Sequence, residues 1–153
     1  MLTKPIHGWS DFQLEGTSSY ALSYLDDIAF DWVEQAIHGL ETLLPFCVKG
    51  LLEPGRFLCL VSYWNCYVIC EDEDEGPQDE DSISSEHSNT SMLEFCKMLY
   101  EDVKNNLGEW AAFADYLGDD FEEKKKILES RLSRLNELIL EKEINFSKGH
   151  CIL

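Results

Sequence analysis

The residues best suited to chemistry lie in one acidic run, Glu71–Asp81, which carries eight carboxylates in eleven residues. Carboxylates at this density can bind a hard cation, exchange protons with a substrate, or pair with lysine and arginine on another molecule. An EF-hand needs regularly spaced acidic ligands, whereas here Pro77 directly follows Gly76 and the spacing is absent. Calcium is therefore only weakly indicated, and acid–base catalysis would need a pocket that a sequence does not reveal.

The cysteine and histidine residues form no recognisable metal or nucleophile motif. Cys66 and Cys70 have a spacing found among zinc ligands, but the second pair that such sites use is missing. His38 lies on a predicted helix and His87 in a polar stretch, which favours structural and surface roles. No serine has a G-x-S-x-G setting, and no glycine-rich phosphate loop is present. We therefore expect a protein that is not an enzyme and that holds no metal or cofactor.

Cysteine usage favours a reducing compartment. Four of the six cysteines fall in apolar, strand-like runs, where a free thiol behaves as a small buried hydrophobe. Residues 1–9 lack the apolar core of a secretory signal peptide. Apolar runs also stay well below the roughly 18–20 residues of a membrane span. We expect a cytoplasmic protein that does not associate with membranes.

The net charge of −18 is unevenly distributed along the chain. Residues 71–90 carry nine acidic and no basic side chains, which is half of the net charge in about an eighth of the sequence. Such a field repels nucleic acid and anionic lipid, and it speeds encounter with a basic protein. The alternative is that the acidic residues only confer solubility.

The sequence thus nominates a set of residues for binding a basic protein partner. Tyr63 and Trp64 in a predicted turn are added as interface anchors, and a second acidic group comes from the first helical region. Trp64 has an even chance of being a core residue instead, and for Tyr67 the core is preferred. The full candidate set is Glu71, Asp72, Glu73, Asp74, Glu75, Asp79, Glu80, Asp81, Tyr63, Trp64, Asp26 and Asp27.

Three short apolar runs predict a β-meander ahead of the acidic run. Phe46–Glu53, Arg56–Ser62 and Cys66–Glu71 are rich in aromatic and β-branched residues, a composition typical of strands. Pro54-Gly55 is a strong turn signal between the first two, because proline presets φ and glycine accepts positive φ. We expect an antiparallel three-stranded meander, buried on both faces or pressed against helices.

The remaining elements are mainly helical. Trp9–Glu15 predicts an edge strand or an extended arm, and the pattern becomes helical from Tyr20, with a break near Asp26-Asp27 and an end at Pro45. Residues 82–89 can include one more short strand. A capping box at Ser91 opens the next helix, a short helix follows, and a long helix begins after Asp119-Asp120.

These elements together predict one α+β domain over residues 1–153: a small antiparallel meander packed against several α-helices, with a long C-terminal helix. Within it, residues 72–82 are expected to form an acidic surface loop and residues 146–153 a flexible tail.

Three segments, WSDFQLEGTSSYALSYLDD, EPGRFLCLVSYWNCYVIC and TSMLEFCKMLYEDV, together with the acidity of the chain, resemble immunity proteins. These proteins neutralise the toxins of contact-dependent growth inhibition and other polymorphic toxin systems in bacteria. The resemblance implies a tight stoichiometric complex with a cognate toxin domain, often a basic nuclease, in which this chain either covers the active site or blocks a nearby surface. The acidic loop would then act as a decoy for the anionic substrate. It implies no fold, because immunity families differ widely in architecture.

Two other functions stay open at this point. One is a general adaptor or chaperone-like module that uses the helix Phe121–Ile144 for docking, and the other is an enzyme with an unrecognised carboxylate or cysteine site. The oligomeric state that we expect is a monomer or a weak homodimer.

Overall fold

The computed structural model describes residues 1–72, 79–114 and 120–147. In chain order its elements are β1 (Trp9–Phe12), β2 (Tyr20–Ser23), α1 (Ile28–Thr42), β3 (Phe46–Leu51), β4 (Arg56–Val61), β5 (Cys66–Glu71), a 3₁₀ turn (Glu80–Ser82), β6 (Ile83–Ser88), α2 (Met92–Asn105), α3 (Leu107–Ala111) and α4 (Phe121–Ser147). The predicted α+β class, with its antiparallel meander and long C-terminal helix, is confirmed.

The main sheet has the order β3-β4-β5-β6, and all of its neighbours are antiparallel. The three predicted strands are all present, and β6 confirms the optional fourth strand. Phe57, Cys59 and Val61 of β4 are buried, whereas the residues between them are not. This alternation shows that one face of the sheet lies on the core, so the strands are pressed against helices rather than buried on both faces.

The helical prediction from Tyr20 is wrong for its first four residues. Tyr20–Ser23 is a strand, paired with β1 so that Phe12 lies opposite Tyr20 and Trp9 opposite Ser23. Its buried Tyr20 and Leu22 flank an exposed Ala21, which is a two-residue period. The pairing with β1 and contacts to the core therefore override the local helical pattern. For Trp9–Glu15, the structure selects the strand over the extended arm.

Helix α1 lies against β3 and runs antiparallel to it. The indole nitrogen of Trp32 donates a hydrogen bond to the carbonyl oxygen of Lys49 at 2.9 Å. Near the other end of the helix, a Cβ at Gly39 would lie 2.2 Å from the ring of Phe46, so only glycine permits this close approach. The helix ends at Thr42, where Leu43 adopts a left-handed conformation with φ of 55°.

Helices α2, α3 and α4 complete the core. The predicted capping box is confirmed, since the Ser91 side chain accepts from the Glu94 backbone and Glu94 bonds back to Ser91. Helix α4 packs on α1, α2 and α3 and buries a leucine stripe there. It extends through Ser147, so the first two residues of the predicted tail are helical, and residues 148–153 lie outside the described residues.

An aromatic cluster joins the two layers. The rings of Phe12 and Phe57 stack with centroids 5.0 Å apart, and Trp32 lies edge-on to Phe12 at 5.2 Å. Phe95 of α2 contacts both Trp32 and Phe46. One core therefore holds the hairpin β1–β2, the main sheet and the first two helices.

Candidate functional site

The described part of the acidic loop is exposed and lies at one end of the sheet. Asp72 directly follows β5, and its backbone N–H donates to the carbonyl oxygen of Ser82 at 3.3 Å. Asp79 caps the 3₁₀ turn by accepting a hydrogen bond from the Ser82 backbone at 3.1 Å. Glu80 and Asp81 stand in that turn, exposed to solvent. The candidates Glu73, Asp74 and Glu75 lie outside the described residues.

Glu71 differs from its neighbours in the acidic run. It belongs to β5, is only 7% exposed, and forms an ion pair with Arg56 on the adjacent strand. The hydrogen bond and the charge of Glu71 raise the pKa of Arg56. The carboxylate of Glu71 is therefore already paired with Arg56 across two strands, and the carboxylates that a partner could contact begin at Asp72.

Asp26 and Asp27 lie at the start of α1. Asp26 forms an ion pair with Lys49 at 3.4 Å. Asp27 occupies the N-cap position without forming a side-chain cap, and its buried Oδ1 has no hydrogen-bond partner among the described residues. Burial raises the pKa of Asp27 to about 6, while Lys124 opposes the shift. Asp27 is thus a carboxylate that gains from a nearby positive charge.

A groove of about 470 Å³ opens beside Asp27, between the N-terminal parts of α1 and α4. Two cations, Lys124 and Arg131, lie in its wall, and Arg131 reaches Glu34 at 3.5 Å. The carboxylates in the wall outnumber them and are Asp27, Asp31, Glu34, Asp120 and Glu123. The sequence prediction missed Glu34, Asp120 and Glu123 as site residues. The acidic residues at the starts of α1 and α4 are visible in the sequence, but only tertiary packing shows that the two helix starts lie side by side.

The groove and the acidic loop lie at the same end of the molecule. Because α1 runs antiparallel to β3, its start lies near the end of β3, as the contacts from Asp26 and Trp32 to Lys49 show. The end of β3 is in register with Arg56 and Glu71, and Asp72 follows. Two strand spacings separate β3 from β5, which is about 10 Å. We call this region the acidic end; its described carboxylates, apart from the paired Glu71, are Asp26, Asp27, Asp31, Glu34, Glu53, Asp72, Asp79, Glu80, Asp81, Asp120 and Glu123.

Tyr63 and Trp64 lie at the opposite end of the sheet. They form the turn before β5, whereas the acidic loop follows β5, and a six-residue strand separates the two by about 20 Å. The structure therefore divides the predicted set of partner-binding residues, because the length of β5 holds Tyr63 and Trp64 apart from the acidic loop.

The two aromatic residues flank a small apolar pocket of about 250 Å³. Trp64 is 63% exposed and its ring lies edge-on to Tyr63 at 4.6 Å. The pocket is lined by Leu40, Leu43, Tyr63, Trp64, Ser91, Met92, Leu93 and Lys142. Trp64 is therefore a surface residue in this structure. Tyr67 is 46% exposed, which corrects the preference for a core position.

The described thiols and acidic groups offer no metal centre. Among residues 1–72, 79–114 and 120–147, no group of three or more His, Cys, Asp or Glu is arranged to hold a metal ion. Cys59, Cys66 and Cys96 are buried and free, as expected for small hydrophobes, whereas Cys47 is exposed. Burial raises the pKa of the Cys96 thiol, so it remains protonated.

Within the described residues, no helix combines the length and the apolar character needed to cross a membrane. No protein-family model, curated protein or solved structure matches this chain.

Proposed function

We propose that this protein is an immunity protein, which binds a cognate toxin domain in the cytoplasm and neutralises it in a stoichiometric complex. The partner expected for it is a basic toxin domain, with a nuclease as the leading class. The observation that carries the proposal is the acidic end, where the exposed carboxylates of the β5–β6 loop and the carboxylate-lined groove between α1 and α4 lie at the same end of the fold.

Charge is the physical support. A carboxylate cluster of this size attracts a surface rich in lysine and arginine and raises the association rate, while it repels phosphates of nucleic acid. Asp27 adds a specific reason for a cationic partner, since a guanidinium or ammonium group in the groove would offset the cost of ionising this half-buried carboxylate. A nuclease surface that holds an anionic substrate has the complementary charge.

The alternative adaptor function rested on α4 as a docking helix, and packing disfavours that role. Leu128, Leu132, Leu135, Leu138 and Ile139 are all buried against the rest of the fold. The apolar stripe of α4 is thus part of the core, and among the α4 side chains that the structure describes the exposed large apolar ones are the separate Ile127, Leu140 and Ile144.

The test is capture of the tagged protein from its native cells, followed by expression of the captured partner. The expected result is one stoichiometric basic protein that is toxic alone and harmless when produced together with this chain. Several substoichiometric partners, or a partner without toxicity, would contradict the proposal.

A matched pair of variants tests the role of the acidic end. Glu80→Gln/Asp81→Asn and the control Glu137→Gln/Glu141→Gln each remove two exposed negative charges, but the control charges lie on the later half of α4. The first variant should lower the association rate with the captured partner more than the control does, and the difference should shrink at high salt. Equal rates for the two variants at low salt would place the binding surface elsewhere.

A further inference from the structure

The face of the main sheet that points away from the helices carries a continuous apolar centre. Leu58 lies opposite Ile69, and Leu60 lies opposite Tyr67, so that four large side chains form a square on β4 and β5. Leu60 is 41% and Tyr67 46% exposed, and the other two are half-buried. We call this side of β3–β6 the outer face.

The four strands also place few charged side chains on the outer face. Its charged side chains on the four strands are Lys49, Arg56 and Glu71, with His87 on the edge strand β6. Arg56 and Glu71 already pair with each other, and Lys49 pairs with Asp26. A basic toxin surface would find no complementary charge here, whereas an identical outer face would meet little repulsion despite the net charge of −18.

From these observations we infer that the outer face is a self-association surface, on which a second copy of this chain packs sheet against sheet around a two-fold axis. In such a contact the same patch serves both copies, so its apolar centre packs on itself. The paired charges at the margin add no net repulsion.

The size of the face sets the strength of this dimer. Four strands about 4.8 Å apart and six residues long cover roughly 400 Å² of sheet plane, which makes a small contact beside the roughly 800 Å² of accessible surface that each partner buries in a standard stable interface. The dimer should therefore be weak and reversible, with a dissociation constant on the order of micromolar or above.

Salt should strengthen the dimer, because screening reduces the repulsion between two acidic molecules. Salt should weaken toxin binding at the acidic end, so the two interactions respond in opposite directions.

Sedimentation of the full chain over a concentration series, at low and high salt, tests the inference. Wild-type protein should show a monomer–dimer equilibrium that shifts toward dimer at high salt. Leu60→Lys/Tyr67→Lys should raise the dissociation constant at least tenfold, even though the lysines lower the negative charge of each copy. Leu140→Lys, at a 50% exposed leucine on α4, is the control and should behave as wild type.

A second measurement does not depend on a variant of the apolar centre. Cys47 lies on the outer face in register with Leu60 and is exposed, so its alkylation in a Cys151→Ser background should slow as protein concentration rises. A wild-type chain that stays monomeric at every concentration and salt, with concentration-independent alkylation, would overturn the inference. So would a dimer that Leu140→Lys disrupts as much as the outer-face variant does. If the outer-face variant instead loses capture of the toxin partner, the face belongs to that complex and the inference fails.

Discussion

The hydroxyl of Tyr20 donates a hydrogen bond to the carboxylate of Glu86, sixty-six positions later in the chain. The same carboxylate accepts from the backbone and side chain of Ser18, at 3.0 and 2.8 Å. The hairpin β1–β2 is thereby attached to the edge strand β6. A carboxylate that accepts several hydrogen bonds favours its charged form, and these bonds lower the pKa of Glu86.

The first prediction concerns this attachment. Tyr20→Phe removes the hydroxyl and should lower the free energy of unfolding by about 1–2 kcal/mol at neutral pH, as measured by denaturant unfolding. Because the folded pKa of Glu86 lies below its ordinary value of 4.5, the stabilisation is present above that value and is lost as pH falls through the folded pKa. Tyr24→Phe, at a 40% exposed tyrosine, is the control. Equal stability of the two variants would show that the Tyr20 bond contributes nothing.

The second prediction uses the raised pKa of Asp27. The folded protein binds this proton more tightly than the unfolded chain, so stability falls as pH rises from 3.8 to about 6. Asp27→Asn should therefore stabilise the fold above pH 6 and have little effect on stability below pH 3.8. Since the group is partly exposed, solvent screening limits the gain to about 1 kcal/mol. Thermal unfolding over this pH range measures it.

Asp81→Asn, at an exposed carboxylate of the acidic loop, is the control for Asp27. As an exposed surface substitution, it should change the free energy of unfolding by no more than about 0.5 kcal/mol. A destabilised Asp27→Asn protein above pH 6 would mean that the charged carboxylate is favourable in the fold, against the expectation from its burial.

The third prediction concerns the contact between α1 and β3. Gly39→Ala places a methyl group within 2.2 Å of the Phe46 ring, and overpacking of this kind costs about 1–3 kcal/mol. Helix propensity alone would favour alanine by about 1 kcal/mol. The sign of the change in the free energy of unfolding therefore shows whether overpacking or helix propensity dominates. His38→Ala, at the exposed neighbouring position, isolates the propensity and should be neutral or slightly stabilising. A stabilised Gly39→Ala protein would show that Phe46 moves aside without cost.

The fourth prediction separates the roles of two tryptophans. Trp64→Ala should change the free energy of unfolding by no more than about 0.5 kcal/mol, because Trp64 is 63% exposed. Trp32→Ala should cost about 3–5 kcal/mol, because Trp32 is 1% exposed and anchors α1 to Lys49. If Trp64 anchors the toxin partner, its loss should mainly raise the dissociation rate, measured by surface-based kinetics. A large loss of stability in Trp64→Ala would instead make this residue structural.

Local patterns were sufficient for much of the fold. The apolar runs and the Pro54-Gly55 turn predicted three strands that the structure contains, and Ser91 with Glu94 predicted the start of α2. Such features depend on residues a few positions apart, which is why sequence reasoning reaches them. The strand Tyr20–Ser23 was not predicted from local patterns, because a partner strand and the distant Glu86 determine its conformation.

For the candidate site, the sequence by itself determined the amount of negative charge and its concentration near residue 80. Tertiary structure alone decided how that charge is used. Packing of α1 beside α4 gathers carboxylates into a groove, the pair with Arg56 withdraws Glu71, and the length of β5 places Trp64 at the far end. Tertiary structure also decided which side of the sheet the helices cover. On β4, the outward Leu58 and Leu60 are as apolar as the inward Phe57 and Cys59, so the strand sequence does not distinguish its two faces. A two-residue alternation separates the faces of a strand only when one of them is polar.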